Sequence, residues 1–283
     1  LPKMYSEPKG YEFSDHIIFG VSDEAKSKLP QADRIGNTYV ELLSASKGNG
    51  SANFPQDNDG VIRRAPTAIY FEGADHVYPS LVMSAVIDIL GIKKDGGFDY
   101  DFKNNVLNLI DTTDTVVRTI PIDDNGRMYV NYFGKFQTFY YLPYSYCMDP
   151  EMLPPDYWEG KVAFVGASLP GLMDLRNTPV QETFAGVEIH ANVMYSILQN
   201  DFVHVKDNVS TFYSILLLCM VIGILISFPK KPFYALPLPI LGIVGWIIYA
   251  NLQFFNELTM IEVVRPIMSI IGTFGGIFLY NYF

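Results

Sequence analysis

The chain has 283 residues, 49% apolar and 14% aromatic, which is ample material for a buried core and excludes wholesale disorder. Its formal net charge of −10 makes it a poor partner for phosphate backbones, whose affinity rests on clustered Lys and Arg, so nucleic acid is not expected as a partner. Two cysteines, Cys147 in a polar stretch and Cys219 inside an apolar run, give no expectation of a structural disulfide.

Taken in chain order, β-branched and aromatic residues mark strand-like runs at 16–21 (HIIFGV) and, after an Asp59-Gly60 turn, at 61–71 (VIRRAPTAIYF). Residues 78–90 (YPSLVMSAVIDIL) place apolar side chains three and four apart, which predicts an amphipathic helix. Gly96-Gly97 marks a turn, and the runs at 116–122 and 127–132 flank Asp123-Asp124-Asn125-Gly126, whose residues predict a hairpin. A buried-strand pattern at 161–166 (KVAFVG) runs into a glycine-containing loop. The second helix, 187–198, has an expected core stripe of Val187, Ala191, Met194 and Leu198, with Glu188, Asn192 and Gln199 opposite and His190 near the stripe's edge. No repeat or internal linker precedes Lys206, so residues 1–206 read as one α/β domain on a single mixed sheet.

Beyond that point the character of the chain changes, because residues 207–283 carry only Lys230, Lys231 and Arg265 against Asp207, Glu257 and Glu262. Uncharged or nearly uncharged runs at 211–228, 234–255 and 263–283 predict an all-α region of three transmembrane helices with the lipid bilayer as partner. Pro237 and Pro239 fall in the opening turn of the second run, where amides lack helical partners, and Arg265 with Pro266 reads as an interface anchor at the start of the third. Both lysines lie in the first connection while the second is acidic, so the positive-inside rule places the first in the cytoplasm and the 206-residue domain outside. Gly272, Thr273, Gly275 and Gly276 permit close helix approach and suggest a homodimer or membrane assembly. The opening at Leu1 and the close at Phe283 on an apolar turn lead us to expect further residues on both sides.

Several residues could carry chemistry. Asp57-Asn58-Asp59-Gly60 resembles the start of a calcium loop, but the bidentate glutamate is absent, and Arg63 and Arg64 offer the aspartates internal partners. The loop after residue 166 is where open α/β sheets hold ligands; it contains Ser168 and Gly171 but no phosphate-cradling glycine motif. Asp174, Arg176 and Thr178 follow, with a loop clamp as the alternative to a ligand site. His190 could titrate as a sensor or base, or fill a core position, with Asn192 on the same helix. No catalytic triad, zinc motif or Cys-x-x-Cys is present, and neither catalysis nor a metal or cofactor is expected within these residues.

Residues 53–64 (NFPQDNDGVIRR), 78–81 (YPSL), 130–134 (VNYFG), 160–168 (GKVAFVGAS), Gly171-Leu172, Asp174, Arg176, Thr178-Pro179 and 186–192 (GVEIHAN) form an ordered set that resembles the type-2 CHASE sensory domain. The resemblance covers about residues 16–205, and the three following spans match the family's usual layout. It implies an extracytoplasmic (periplasmic) sensor in the bacterial inner membrane, responding to an unidentified ligand or protein. The output it implies is most often a cytoplasmic class III adenylate cyclase, less often a protein or histidine kinase. This sequence departs from the family in its missing or shortened N-terminal anchor and first part of the domain, and in lacking the output module. Two other readings stand beside it: an accessory envelope protein docking to a larger assembly, and an exported enzyme using the 166–174 loop with His190.

Overall fold

Among the described residues, three strands end on a proline, and each such end lacks the N–H that would carry a ladder further. The computed structural model describes residues 17–33, 40–149, 151–168, 174–229 and 232–282. It divides into two units, residues 1–202 and 203–283.

The first unit is mixed α/β. It runs α1 (Asp23–Lys28), β1 (Gln31–Ala32), α2 (Val40–Ala45), β2 (Arg64–Pro66), β3 (Ala68–Phe71), β4 (His76–Pro79) and α3 (Leu81–Leu90). There follow β5 (Phe98–Asp101), β6 (Val106–Ile110), β7 (Val116–Pro121), β8 (Arg127–Tyr129), α4 (Tyr144–Cys147), β9 (Leu175–Arg176), β10 (Phe184–Ala185) and α5 (Gly186–Gln199). Instead of one mixed sheet, the described residues form four small ones: β1-β3-β4, β5-β6-β7, β2-β8 and β9-β10. The run 61–71 breaks after Pro66, where Thr67 turns its hydroxyl to the Gly126 carbonyl at 2.7 Å.

Other expectations shift for equally local reasons. The helix expected from residue 78 starts at Leu81, because Tyr78 and Pro79 belong to β4 and Ser80 caps α3 by accepting the Met83 N–H at 3.3 Å. The Asp123 turn closes, with the Gly126 N–H on the Asp123 carbonyl at 3.0 Å and Gly126 at φ +66°. Its flanking strands nevertheless join different sheets, since β7 pairs with β6 and β8 with β2. His16 lies outside the described residues, and the rest of its run makes only single bridges, Ile18 to Val77 and Phe19 to Asp95.

The predicted strand at 161–166 does not form: the segment is irregular, with Val165 81% exposed and only Phe164 packed against the core. It lies along α5, where an added Cβ at Gly166 would meet Val187 at 2.7 Å. A helix bonds its own amides and offers no ladder, so the segment has nothing to pair with. The core lies between the sheets and the helices α3 and α5, built on Met83, Leu107, Leu109, Ile120, Met128, Phe184, Ile189 and Ile197.

In the second unit β11 (His204–Val205) leads into α6 (Asn208–Ser227), α7 (Pro232–Ala235), α8 (Pro237–Glu257), β12 (Thr259–Met260) and α9 (Val264–Tyr282). Lys230, Lys231 and Phe283 lie outside the described residues. Asp207 caps α6 by accepting the Ser210 N–H at 2.9 Å, and that bond holds its carboxyl below the usual range. The second apolar run starts as a separate turn, α7, because Pro237 has no N–H to continue a helix into α8. β11 pairs in parallel with β12. Ile222, Ile226, Ala235 and Ile270 form a small buried cluster, and a Cβ at Gly242 would stand 2.6 Å from Ile222.

Among the described residues, α6 and α8 are long and apolar enough to cross a membrane. The 19-residue α9 falls short of that measure, with Arg265 and Pro266 in its first turn and Asn281 in its last.

Candidate functional site

Eight of the ten candidate residues fall into three places. Asp57, Asp59, Arg63 and Arg64 line an open depression with Gln56, Asn58 and Arg127. Arg63 forks onto Asp59 at 2.9 and 2.8 Å and reaches Asp57 at 3.4 Å. Arg64 donates to Asp57 and, at 2.8 Å, to Asp123, which also takes the Arg127 Nε–H at 2.9 Å. The Arg63 hydrogen bonds hold Asp59 down to about 2. Every carboxylate here faces an arginine, so the cluster is a network that ties the 57–64 turn to β2, β8 and the Asp123 turn. No group of His, Cys, Asp and Glu able to hold a metal ion occurs among the described residues.

The second place lies on α5, where Met194 is buried and Gln199 exposed as expected. The rest of the buried face is Ile189, Val193 and Ile197, together with Glu188, Asn192 and Ser196, while Val187, Ala191 and Leu198 are half-buried. Glu188, 2% exposed, accepts the N–H groups of Gln137 and Thr138 at 3.0 Å and Phe139 at 3.4 Å, and the Tyr141 hydroxyl at 2.9 Å. Asn192 accepts the Phe133 N–H at 3.0 Å and donates to the Glu188 carbonyl at 2.7 Å. Burial, with Glu188 second, raises the Tyr141 phenol above its ordinary value. These bonds latch the irregular 133–141 segment onto α5. An i, i+4 pair of polar residues beside Ile189 and Val193 is the one sequence signal for it.

The latched segment and the stretch that follows it carry exposed aromatic and thioether side chains, among them Tyr140, Tyr144, Met148 and Trp158.

His190 forms the third. It is 8% exposed, its Nδ1 has no partner, and its ring lies 4.4 Å from that of Phe54 and stacks at 6.4 Å and 13° on that of Phe164. Burial pulls its pKa down to about 4, against the field of Asp174 and a hydrogen bond with the Ala52 backbone. Asp174 comes close because position 186 is glycine: a Cβ there would sit 2.4 Å from its Oδ1, and the Gly186 N–H donates to the Asp174 carbonyl at 2.9 Å. Arg176 pairs with Asp174 at 3.4 Å.

Thr178 is buried and closes a turn, donating its hydroxyl to the Gln181 carbonyl at 2.8 Å. Ser168 is half-buried at the end of the irregular segment, while Gly171 and Leu172 lie outside the described residues. Of the ten candidates, the fold thus groups Asp174 and Arg176 with His190, Asn192 with Glu188, and the four at 57–64 with one another.

A model of the CHASE2 domain family matches residues 5–226. No curated protein and no solved structure matches the chain.

Proposed function

The chain belongs to the CHASE2 family of extracytoplasmic sensory domains, and on that premise we propose that it is the sensor and membrane-anchor portion of a bacterial inner-membrane receptor. The domain of residues 1–206 stands in the periplasm, and three helices within 207–283, α9 included, cross the bilayer to a cytoplasmic output, a class III adenylate cyclase. The observation that carries the membrane part is exposure. Only 17% of each apolar window in α6 and α8 is buried, and Leu216, Leu217, Met220, Leu241 and Ile248 turn outward. Water would not tolerate so large an apolar surface, whereas lipid requires it.

The stimulus is a periplasmic ligand or protein. The exposed aromatic stretch supports contact with one, and the Glu188 latch supports transfer to α5, the last helix before the chain enters the second unit at Val203. A stimulus acts only by favouring one of two states, and a homodimer joined along Gly272, Gly275 and Gly276, where an added Cβ meets nothing within 4 Å, supplies such a pair of states.

The test is topology. With Cys147 and Cys219 replaced by Ser, a single cysteine at Lys230 in intact cells should resist a membrane-impermeant maleimide and react after permeabilisation, while one at Asp124 should react in spheroplasts. Labelling of position 230 from outside would overturn the receptor reading.

A further inference from the structure

The buried ring of His190 is out of keeping with its surroundings. Imidazole carries two polar nitrogens, and burial of one without a partner costs free energy that the fold must meet elsewhere. Phe54 and Phe164 cover the ring and can neither donate nor accept a conventional hydrogen bond. The residues that bring this about belong to three separate stretches of chain. Phe54 comes from the segment before the 57–64 turn, Phe164 from the unpaired 161–168 segment, and Asp174 from the approach that Gly186 permits.

We propose that His190 is a proton-binding site through which the domain responds to acid: proton uptake from water expels the ring from between Phe54 and Phe164 and releases the 52–54 and 161–168 segments from α5. The inference rests on the sensory reading above and names one stimulus for it.

Two alternative homes for the ring set the direction. In the closed state the imidazolium would lie among aromatic side chains; in the open state water solvates it. Asp174 is the charged group whose field favours the imidazolium, and it is itself paired with Arg176. Phe54, Ala52 and Phe164 bring no charge, Lys161 is held by the Tyr157 carbonyl and ring, and Glu188 is occupied by the 137–141 amides. The ring takes a proton at its ordinary 6.5 when free and near 4 when enclosed, so acidification to pH 5 favours the open state by about 20-fold over neutral pH. The segment that opens is predisposed to do so, because 161–168 has no strand partner and holds to α5 by side chains such as Phe164.

Hydrogen–deuterium exchange of the whole chain in lipid nanodiscs at pH 7.5 and pH 5, corrected for intrinsic exchange rates, tests the site. The wild type should lose protection at pH 5 about 10- to 20-fold in peptides covering the first turns of α5, whose hydrogen-bonded amides the 52–54 and 161–168 segments cover. The same peptides of His190→Gln should show no added loss on acidification, whatever their protection at pH 7.5. Unchanged protection in the wild type, or an equal acid loss in His190→Gln, would overturn the proposal. Exchange in the chain itself reports on the proton site whether or not any output responds, so a failure here is distinct from a failure of the receptor reading.

Discussion

At the scale of single residues, Glu188 carries the largest structural consequence per side chain. Its carboxylate takes three backbone N–H groups and a phenol from a stretch about 50 positions away. Glu188→Ala strands those donors, and because part of the loop can turn to water we expect a loss of about 2–4 kcal/mol. Urea unfolding of the detergent-solubilised chain should show the lowered midpoint, and limited proteolysis should show cleavage near 133–141. An unchanged midpoint would mean that the latch contributes nothing. The arginines at 63 and 64 were legible as partners for Asp57 and Asp59, because charges a few residues apart around a turn meet by local geometry. Glu188 was not legible as buried, since an acid on a helix is placed outward unless its distant partners are known.

Secondary-structure elements divide along the same line. Caps and breaks are local, and they follow the residues: Ser80 starts α3, Asp207 starts α6, and Pro237 separates α7 from α8. Ser80→Ala should destabilise the domain by about 1 kcal/mol, the usual cost of a lost N-cap. The check is a matched pair of unfolding curves for Ser80→Ala and the neighbouring exposed change Glu72→Ala, which should leave the midpoint unmoved. Strand pairing is the opposite case. The hairpin residues at 123–126 made their turn, yet β8 found β2 rather than β7. The apolar alternation at 161–166 made no strand, because alternation gives a segment two faces but cannot supply a neighbour.

For the whole molecule, acid stability depends on several groups whose proton affinities are lowered on folding, and His190 and Asp59 are shifted furthest. His190 is held near 4 by burial, so between 6.5 and about 4 the unfolded chain binds the proton first and stability falls as pH falls. Asp59, held near 2 by Arg63, adds its contribution above the ordinary carboxylate value of 3.8 and loses it as pH falls toward 2. Thermal unfolding in detergent should therefore show a Tm that is level with respect to His190 above pH 6.5 and declines below it, with His190→Gln flattening the decline between 6.5 and 4. A wild-type and variant pair with parallel curves in that window would contradict the burial of the ring. By itself, the amino-acid order determined the change of composition after residue 206, the presence of the long helices, the turns and the membership of the CHASE2 family. All of these are set by composition or by side chains acting on backbone within a few residues. Only the tertiary structure decided that the sheet splits into small pieces, that α5 turns Glu188 and Asn192 inward, and that Phe54, Phe164 and Asp174 surround His190. Whether a polar group is buried depends on partners that chain distance hides and packing alone brings within hydrogen-bonding reach.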